Sequence, residues 1–189
     1  MNKNHIPVLF FLLTASMCLL SQNTNTFVHI HYNYRFLIDS SGFVGPTAID
    51  TMYYPDKKIK AIGTVALDYD SVKSDLKVGL WTEYYSDGKI KSKGNYEMDS
   101  YVTCCFLGPC RQFVTYKKGH WKYFHENGKL KASGKYKVKK QHIFTTCKGS
   151  YERVFNSRID NSWHYYDEEG RKKKMTKKLI REIEKMNYE

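Results

Sequence analysis

Gly79-Leu80-Trp81-Thr82-Glu83-Tyr84-Tyr85-Ser86-Asp87-Gly88-Lys89-Ile90 decides how this chain is read, because it is said three times. Gly119-His120-Trp121-Lys122-Tyr123-Phe124-His125-Glu126-Asn127-Gly128-Lys129-Leu130 repeats it, and Asn161-Ser162-Trp163-His164-Tyr165-Tyr166-Asp167-Glu168-Glu169-Gly170-Arg171-Lys172 repeats it again. The three tryptophans, the only ones in the chain, stand 40 and 42 residues apart, and the turn glycines Gly88, Gly128 and Gly170 keep the same spacing. A fixed period of this size marks a repeat architecture, in which each unit buries its apolar face only against its neighbours.

Each unit reads as a β-hairpin. Trp-x-x-aromatic-aromatic is rich in strand formers. Asp87-Gly88 and Asn127-Gly128 signal a two-residue turn with positive φ at both residues. The return strand alternates with period two: Ile90, Ser92, Gly94 and Tyr96 on one face, Lys89, Lys91 and Lys93 on the other. The second unit repeats this with Leu130, Ala132, Gly134 and Tyr136 opposite Lys129, Lys131, Ser133 and Lys135. Glycine at 94 and 134 lets the tryptophan of a neighbouring unit approach closely. Tyr53 to Gly63 aligns with Tyr84 to Gly94 as a partial unit without tryptophan, and Lys57 takes the place of the turn glycine. The expected fold is therefore all-β: an elongated antiparallel sheet of stacked hairpins. Phe27 to Tyr32 alternates as a further strand, and Gly42 to Pro46 reads as a turn. The inserts 97–117 and 137–160 each read as at least one more strand plus a loop carrying cysteines. Met175 to Tyr188 places Leu179, Ile180, Ile183 and Met186 on one face of a short capping helix, with Thr176 as N-cap.

The N-terminus has a different character. Lys3 precedes an apolar run, Ile6 to Ala15, of secretory length. Residues 1–21 are expected to be a signal peptide cut after Ser21. An uncleaved anchor and lipidation at Cys18 are the alternatives, the second weakened by the bulky Met17 before the cysteine. The expected organisation is 1–21 signal, 22–51 strand and turn segment, 52–175 repeats, and 176–189 basic helix.

With 31 Lys and Arg against 19 Asp and Glu, the chain carries a formal charge of +12, and loss of residues 1–21 removes only Lys3. A basic chain suits nucleic acid, anionic lipid or an acidic partner. Export argues against nucleic acid, and lysines on the solvent side of strands also discourage edge-to-edge association. Cys104, Cys105, Cys110 and Cys147 make an even number in an exported chain, which suggests two disulfides. Adjacent Cys104 and Cys105 are poor partners for each other, so one pairs with Cys110 and the other with Cys147.

Nothing in the sequence points to catalysis or to a cofactor. There is no Gly-x-Ser-x-Gly, no His-Glu-x-x-His and no phosphate-cradling glycine loop. His29 and His31 share a strand face but lack a third metal ligand. His120, His125 and His164 fall at places of the unit that do not match one another. The tryptophans read either as core or as an exposed aromatic stripe. Arg171, Lys172, Lys173, Lys174, Lys177, Lys178 and Arg181 concentrate positive charge in eleven residues, a candidate contact for anionic headgroups.

The pattern Gly-x-Trp-x-x-Tyr-aromatic-x-x-Gly-Lys-aliphatic-x-x-x-Gly-x-Tyr resembles the bacterial variant of the MORN repeat (membrane occupation and recognition nexus), over about residues 52–175 and most clearly at 79–96 and 119–136. The resemblance implies a β-hairpin solenoid without catalytic residues, with Trp81, Gly88, Gly94, Trp121, Gly128, Gly134, Trp163 and Gly170 as repeat core. It also implies contacts with proteins or membranes. Proteins of this type are often labelled antitoxins, a label at odds with an export signal. The chain departs from the pattern in its long inserts and in Asn161, which stands where other units have glycine. The function expected is that of an exported scaffold for an unidentified protein partner, with anionic lipid binding as the alternative.

Overall fold

The computed structural model describes residues 27–31, 34–39, 42–105, 108–144 and 151–185. A small antiparallel sheet comes first, of β1 (Phe27–His31), β2 (Tyr34–Asp39) and β3 (Gly42–Phe43). The main sheet follows as a meander. Its strands are β4 (Thr47–Tyr53), β5 (Ile59–Leu67), β6 (Lys73–Tyr84), β7 (Ile90–Cys105), β8 (Gly108–Phe124) and β9 (Leu130–Phe144). Each pairs antiparallel with the next. β10 (Tyr151–Arg158) and β11 (His164–Tyr166) both pair with β9, and β12 (Lys172–Lys173) closes the series on β11. A single helix, α1 (Lys177–Lys185), ends the described chain. The fold is thus an elongated all-β hairpin stack with a short C-terminal helix.

The hairpin tips form a row at one end of the strands. The backbone amides of Tyr54, Tyr85, His125 and Asp167 donate to the carbonyls of Lys58, Lys89, Lys129 and Arg171, at 2.8 to 3.0 Å. Inside each loop the amide of Lys57, Gly88, Gly128 or Gly170 turns back to the residue before the tip. Only this last loop residue has positive φ: 65° at Lys57, 85° at Gly88, 83° at Gly128 and 89° at Gly170. The expected two-residue turn with two left-handed residues is therefore corrected to a three-residue loop: an ordinary turn followed by one left-handed residue in a bulge. An acid or amide at the second loop position fixes the loop by accepting the following amide. Asp56 takes it from Lys58 at 3.2 Å, Asp87 from Lys89 at 3.0 Å and Asn127 from Lys129 at 2.9 Å.

The insert 97–117 adds no strand of its own but extends β7 and β8, whereas 137–160 adds one further strand, β10, as expected. β7 and β8 run on together from Asn95/Lys118 to Cys105/Gly108, and β9 and β10 pair continuously from Lys137/Arg158 to Phe144/Tyr151. The long period therefore comes from hairpin strands that outrun the repeat as two-stranded arms, at the end of the sheet opposite the tips. The β5–β6 arm is shorter and turns at Asp68, whose carboxylate accepts the Val72 amide at 2.6 Å.

Where arm meets repeat, the ladder slips. Gly63 pairs with Trp81 but Thr64 with Val78, and Lys93 pairs with Lys122 but Asn95 with Lys118. The extra residues include Gly79 and Gly119, at φ 65° and 69°, a conformation that costs other residues about 1–2 kcal/mol. In the third unit Asn161 occupies this place, and the strand breaks instead. Asp160 caps a turn by accepting the Ser162 amide at 3.0 Å, and β11 begins afresh.

Two joined stretches of core follow the tryptophans. Ala61, Val65 and Trp81 pack with Tyr96; Trp121, Tyr123, Ala132, Tyr136, Ile159, Trp163 and Ile183 continue the line, again against Tyr96. α1 is held by this second group: Ile183 is fully buried, Ile180 and Met175 pack beside it, and Thr176 Oγ1 caps the Leu179 amide at 3.3 Å. A separate cluster joins the small sheet to the arms, where Phe36 and Ile38 meet Ala66, Val78 and Met98. Phe36 lies edge-on to Phe113, with centroids 4.7 Å apart.

Candidate functional site

The three indoles make one repeated contact. Trp81, Trp121 and Trp163 are 1, 1 and 2% exposed. They lie over Gly63, Gly94 and Gly134 so closely that a Cβ at any of these glycines would fall inside the ring. Each indole Nε1 donates to the carbonyl one residue beyond its glycine: Thr64 at 2.7 Å, Asn95 at 3.1 Å and Lys135 at 3.1 Å. The indole thus has no polar atom left for a ligand, and burial removes the reading of the tryptophans as an exposed aromatic stripe.

Two lysines sit on this ladder without any sequence expectation attached to them. Lys77 and Lys117, each four residues before a tryptophan, place Nζ 4.5 and 4.0 Å from the centroids of Trp81 and Trp121. Lys117 is buried, donates to Tyr123 Oη at 2.9 Å, and Tyr123 shares a 2.8 Å hydrogen bond with Tyr136. Burial pushes the Lys117 ammonium down to about 8, against the opposing pull of Glu83 and with the help of Lys77 and Lys91. Burial also lowers Lys77, whose Nζ stands 3.9 Å from Glu83. The signal that reveals this pair is recurrence at the 40-residue spacing; Ile159 replaces lysine in the third unit.

A second ladder ties the tips. Tyr54 Oη donates to the Tyr84 carbonyl and Tyr85 Oη to the Phe124 carbonyl, both at 2.7 Å. His125 Nε2 meets the Tyr166 carbonyl at 2.9 Å. His125 therefore does occupy a matched place of the unit, that of Tyr54 and Tyr85, and does their work. Lys89 and Lys129 add a clamp, reaching the carbonyls of Glu126 at 2.9 Å and Glu169 at 3.4 Å in the next tip. In the last unit Asp167 holds this place, and with no further tip to meet it binds Arg171 and Lys173, each at 2.9 Å.

The sheet face away from the indoles carries charge. Cross-strand pairing sets Thr82, Lys93, Lys122, Ser133 and His164 in one row over five strands. Lys93, Lys122 and His164 are exposed. In the tail, Arg171 is paired with Asp167 and Glu169, and Lys173 with Asp167. Lys172, Lys174, Lys177, Lys178 and Arg181 are exposed and make no ion pair among the described residues.

The disulfide expectation is corrected. Two bridges are not found among the described residues, but Cys104 and Cys110 are disulfide-bonded. In the β7–β8 ladder Cys104 pairs with Pro109, Cys105 with Gly108 and Cys110 with Thr103, so no two of these three cysteines stand directly opposite each other. Cys147 and the side chain of Cys105 lie outside the described residues, as do residues 1–21 with Cys18 and the side chains of His29 and His31. No group of three or more His, Cys, Asp or Glu side chains suited to a metal occurs among the described residues. No described helix is long and apolar enough to cross a membrane.

The geometry so far is that of tandem hairpins locked by an indole on a glycine. Two stretches of the chain, residues 77–98 and 117–137, match the family model for the MORN repeat variant. Both matches open on the lysine that lies over the indole and run through the tip to just past the return-strand tyrosine. The two matched stretches coincide with the hairpins β6–β7 and β8–β9. No curated protein and no solved structure matches the chain.

Proposed function

We propose that this chain is an exported, non-catalytic scaffold, and that it docks an acidic protein partner on the lysine face of its sheet. The observation that carries this reading is the division of labour between the two faces. The indole face is closed by its own repeats, while the opposite face presents Lys93, Lys122, Lys135, His120 and His164 to solvent. A flat, rigid, positively charged sheet favours long-range attraction of an acidic surface and then holds it in one register. Cross-linking affinity capture with the chain lacking residues 1–21 tests it: wild type retains a stoichiometric partner, and Lys93→Glu/Lys122→Glu loses it while remaining folded. Capture that is indifferent to these reversals removes the reading.

The tail supports a second reading, attachment to an anionic membrane surface. Five unpaired cations cluster on and just before α1, each contributing about 1 kcal/mol near such a surface. Flotation with anionic vesicles should then fall with salt and disappear when Lys172, Lys174, Lys177 and Lys178 are reversed to Glu.

A further inference from the structure

The outer face carries a concavity beside the third unit. A groove of about 360 Å³ opens where β8, β9 and β11 meet the broken third unit. His120 and Lys122 line it from β8, Ser133 and Lys135 from β9, and Ser162 and His164 from the last unit. Trp121 and Gly134 also border it. The lining contains no carboxylate. The acid closest in the hydrogen-bond network is Asp160, which accepts from the Ser162 amide and hydroxyl at 3.0 and 2.5 Å and is ion-paired with Lys137.

Comparison of units shows a denser set of cations here: His120, Lys122, Lys135 and His164 line this interface, against Lys93, His120 and Lys122 at the equivalent places of the preceding one. The preceding unit carries Leu80 where β8 has His120, Thr82 where it has Lys122, and Asn95 where β9 has Lys135. The framework residues, Trp and Gly, are identical at both interfaces. Beside the groove lies the turn at Asp160 to Ser162, which stands in place of the glycine bulge of the other units and brings Ser162 to the lining.

We infer that this groove binds a phosphate group, free or as a monoester. Neighbouring strands are about 4.8 Å apart, so donors on three of them surround a ligand rather than pair with it edge-on. A tetrahedral dianion offers oxygens in several directions at once, whereas a carboxylate offers two in one plane. Charge-assisted hydrogen bonds from lysine and imidazole supply the affinity. The volume exceeds that of phosphate alone, leaving room for the organic part of an ester. This inference goes beyond the docking proposal and concerns the uncovered face, where a docked partner and a phosphate would contend for the same groups.

Inorganic phosphate and glycerol 3-phosphate, titrated by NMR at constant ionic strength against chloride, test it. Saturable shifts confined to His120, Ser133, Lys135, Ser162 and His164 are expected. Lys122→Gln/Lys135→Gln should weaken binding about tenfold or more, while Lys58→Gln, at the first hairpin tip and remote from the groove, should leave it unchanged. Both variants are checked for native circular dichroism. Vesicles with phosphatidate, compared with phosphatidylcholine, identify the source. Retention only on phosphatidate, lost in the double variant, assigns the phosphate to a lipid headgroup; saturation by the soluble phosphates assigns it to a small molecule. No saturable binding in either form, or binding indifferent to the double variant, overturns the inference. Partner capture reads the docking proposal separately, so one can fail without the other.

Discussion

Trp121 occupies the space that a side chain at Gly94 would need, and its Nε1 closes on the next carbonyl along, that of Asn95. The same contact joins Trp81 to Gly63 and Trp163 to Gly134, so each unit is fastened to the previous one by a ring that tolerates only hydrogen beneath it. Gly94→Ala should therefore lower stability by about 3 kcal/mol, the upper range for overpacking a filled core. Urea unfolding measures it. An unchanged midpoint would mean that the ring can slide and that the stack is not fastened here.

Lys57 is the one tip residue of the four that is not glycine at positive φ. Its loop makes the same two hydrogen bonds as the others, so the geometry is imposed by the hairpin and not chosen by lysine. Lys57→Gly should raise stability by about 1 kcal/mol by relieving this conformation. Gly88→Lys should cost about as much. The paired midpoints check both, and a fall for Lys57→Gly would show that the lysine side chain contributes more than its backbone costs.

His125 takes the place of Tyr54 and Tyr85 in the tip ladder. A carbonyl only accepts, so its ring donates from Nε2 to Tyr166, and His125 also lies edge-on to Tyr165 at 6.4 Å. His125→Ala leaves a carbonyl without its donor and a gap between tips, for a loss of about 2 kcal/mol. His125→Tyr should recover most of that loss, because a tyrosine hydroxyl spans the equivalent gap twice elsewhere. Failure of tyrosine where alanine also fails would assign His125 a role of its own.

The hairpin stack is legible in the spacing of Trp81, Trp121 and Trp163 and in the alternation after each turn glycine, because both report directly on period-two burial. Thr176 and Ile183 likewise announce α1 through capping and periodicity. Other features are less visible. Asp87-Gly88 suits two loop geometries, and only the bond from the Tyr85 amide to the Lys89 carbonyl separates them. Alternating residues such as Phe113 to Tyr116 indicate a strand but not whether it is new or a continuation, which is why the arms are hidden. Lys77 and Lys117 disappear among 31 basic residues unless the unit is extended four residues ahead of its tryptophan. The phosphate groove is invisible for another reason: His120, Lys135 and His164 are brought together by cross-strand register, which no linear spacing encodes.

Lys117 makes stability depend on pH in a distinctive way. Burial holds its ammonium near 8 in the folded protein, below its ordinary 10.5, so between these values the unfolded chain binds more protons than the folded one. Stability therefore carries the full penalty below pH 8 and rises as pH climbs from 8 towards 10. Burial acts in the opposite direction on Tyr96 and Tyr123, whose hydroxyls are raised far above 10, and on Tyr116, pushed up to about 12. Above pH 10 these phenols ionise first in the unfolded chain, and stability should fall again. Unfolding midpoints across pH 7 to 11 should thus pass through a maximum near 9 to 10. Lys117→Met should shrink the rising limb and leave the falling one, since an uncharged side chain over Trp121 has no proton to lose while Lys77, also lowered by burial, still contributes. A Lys117→Met profile that climbs from pH 8 as steeply as wild type would place the titration on another group and refute the assignment.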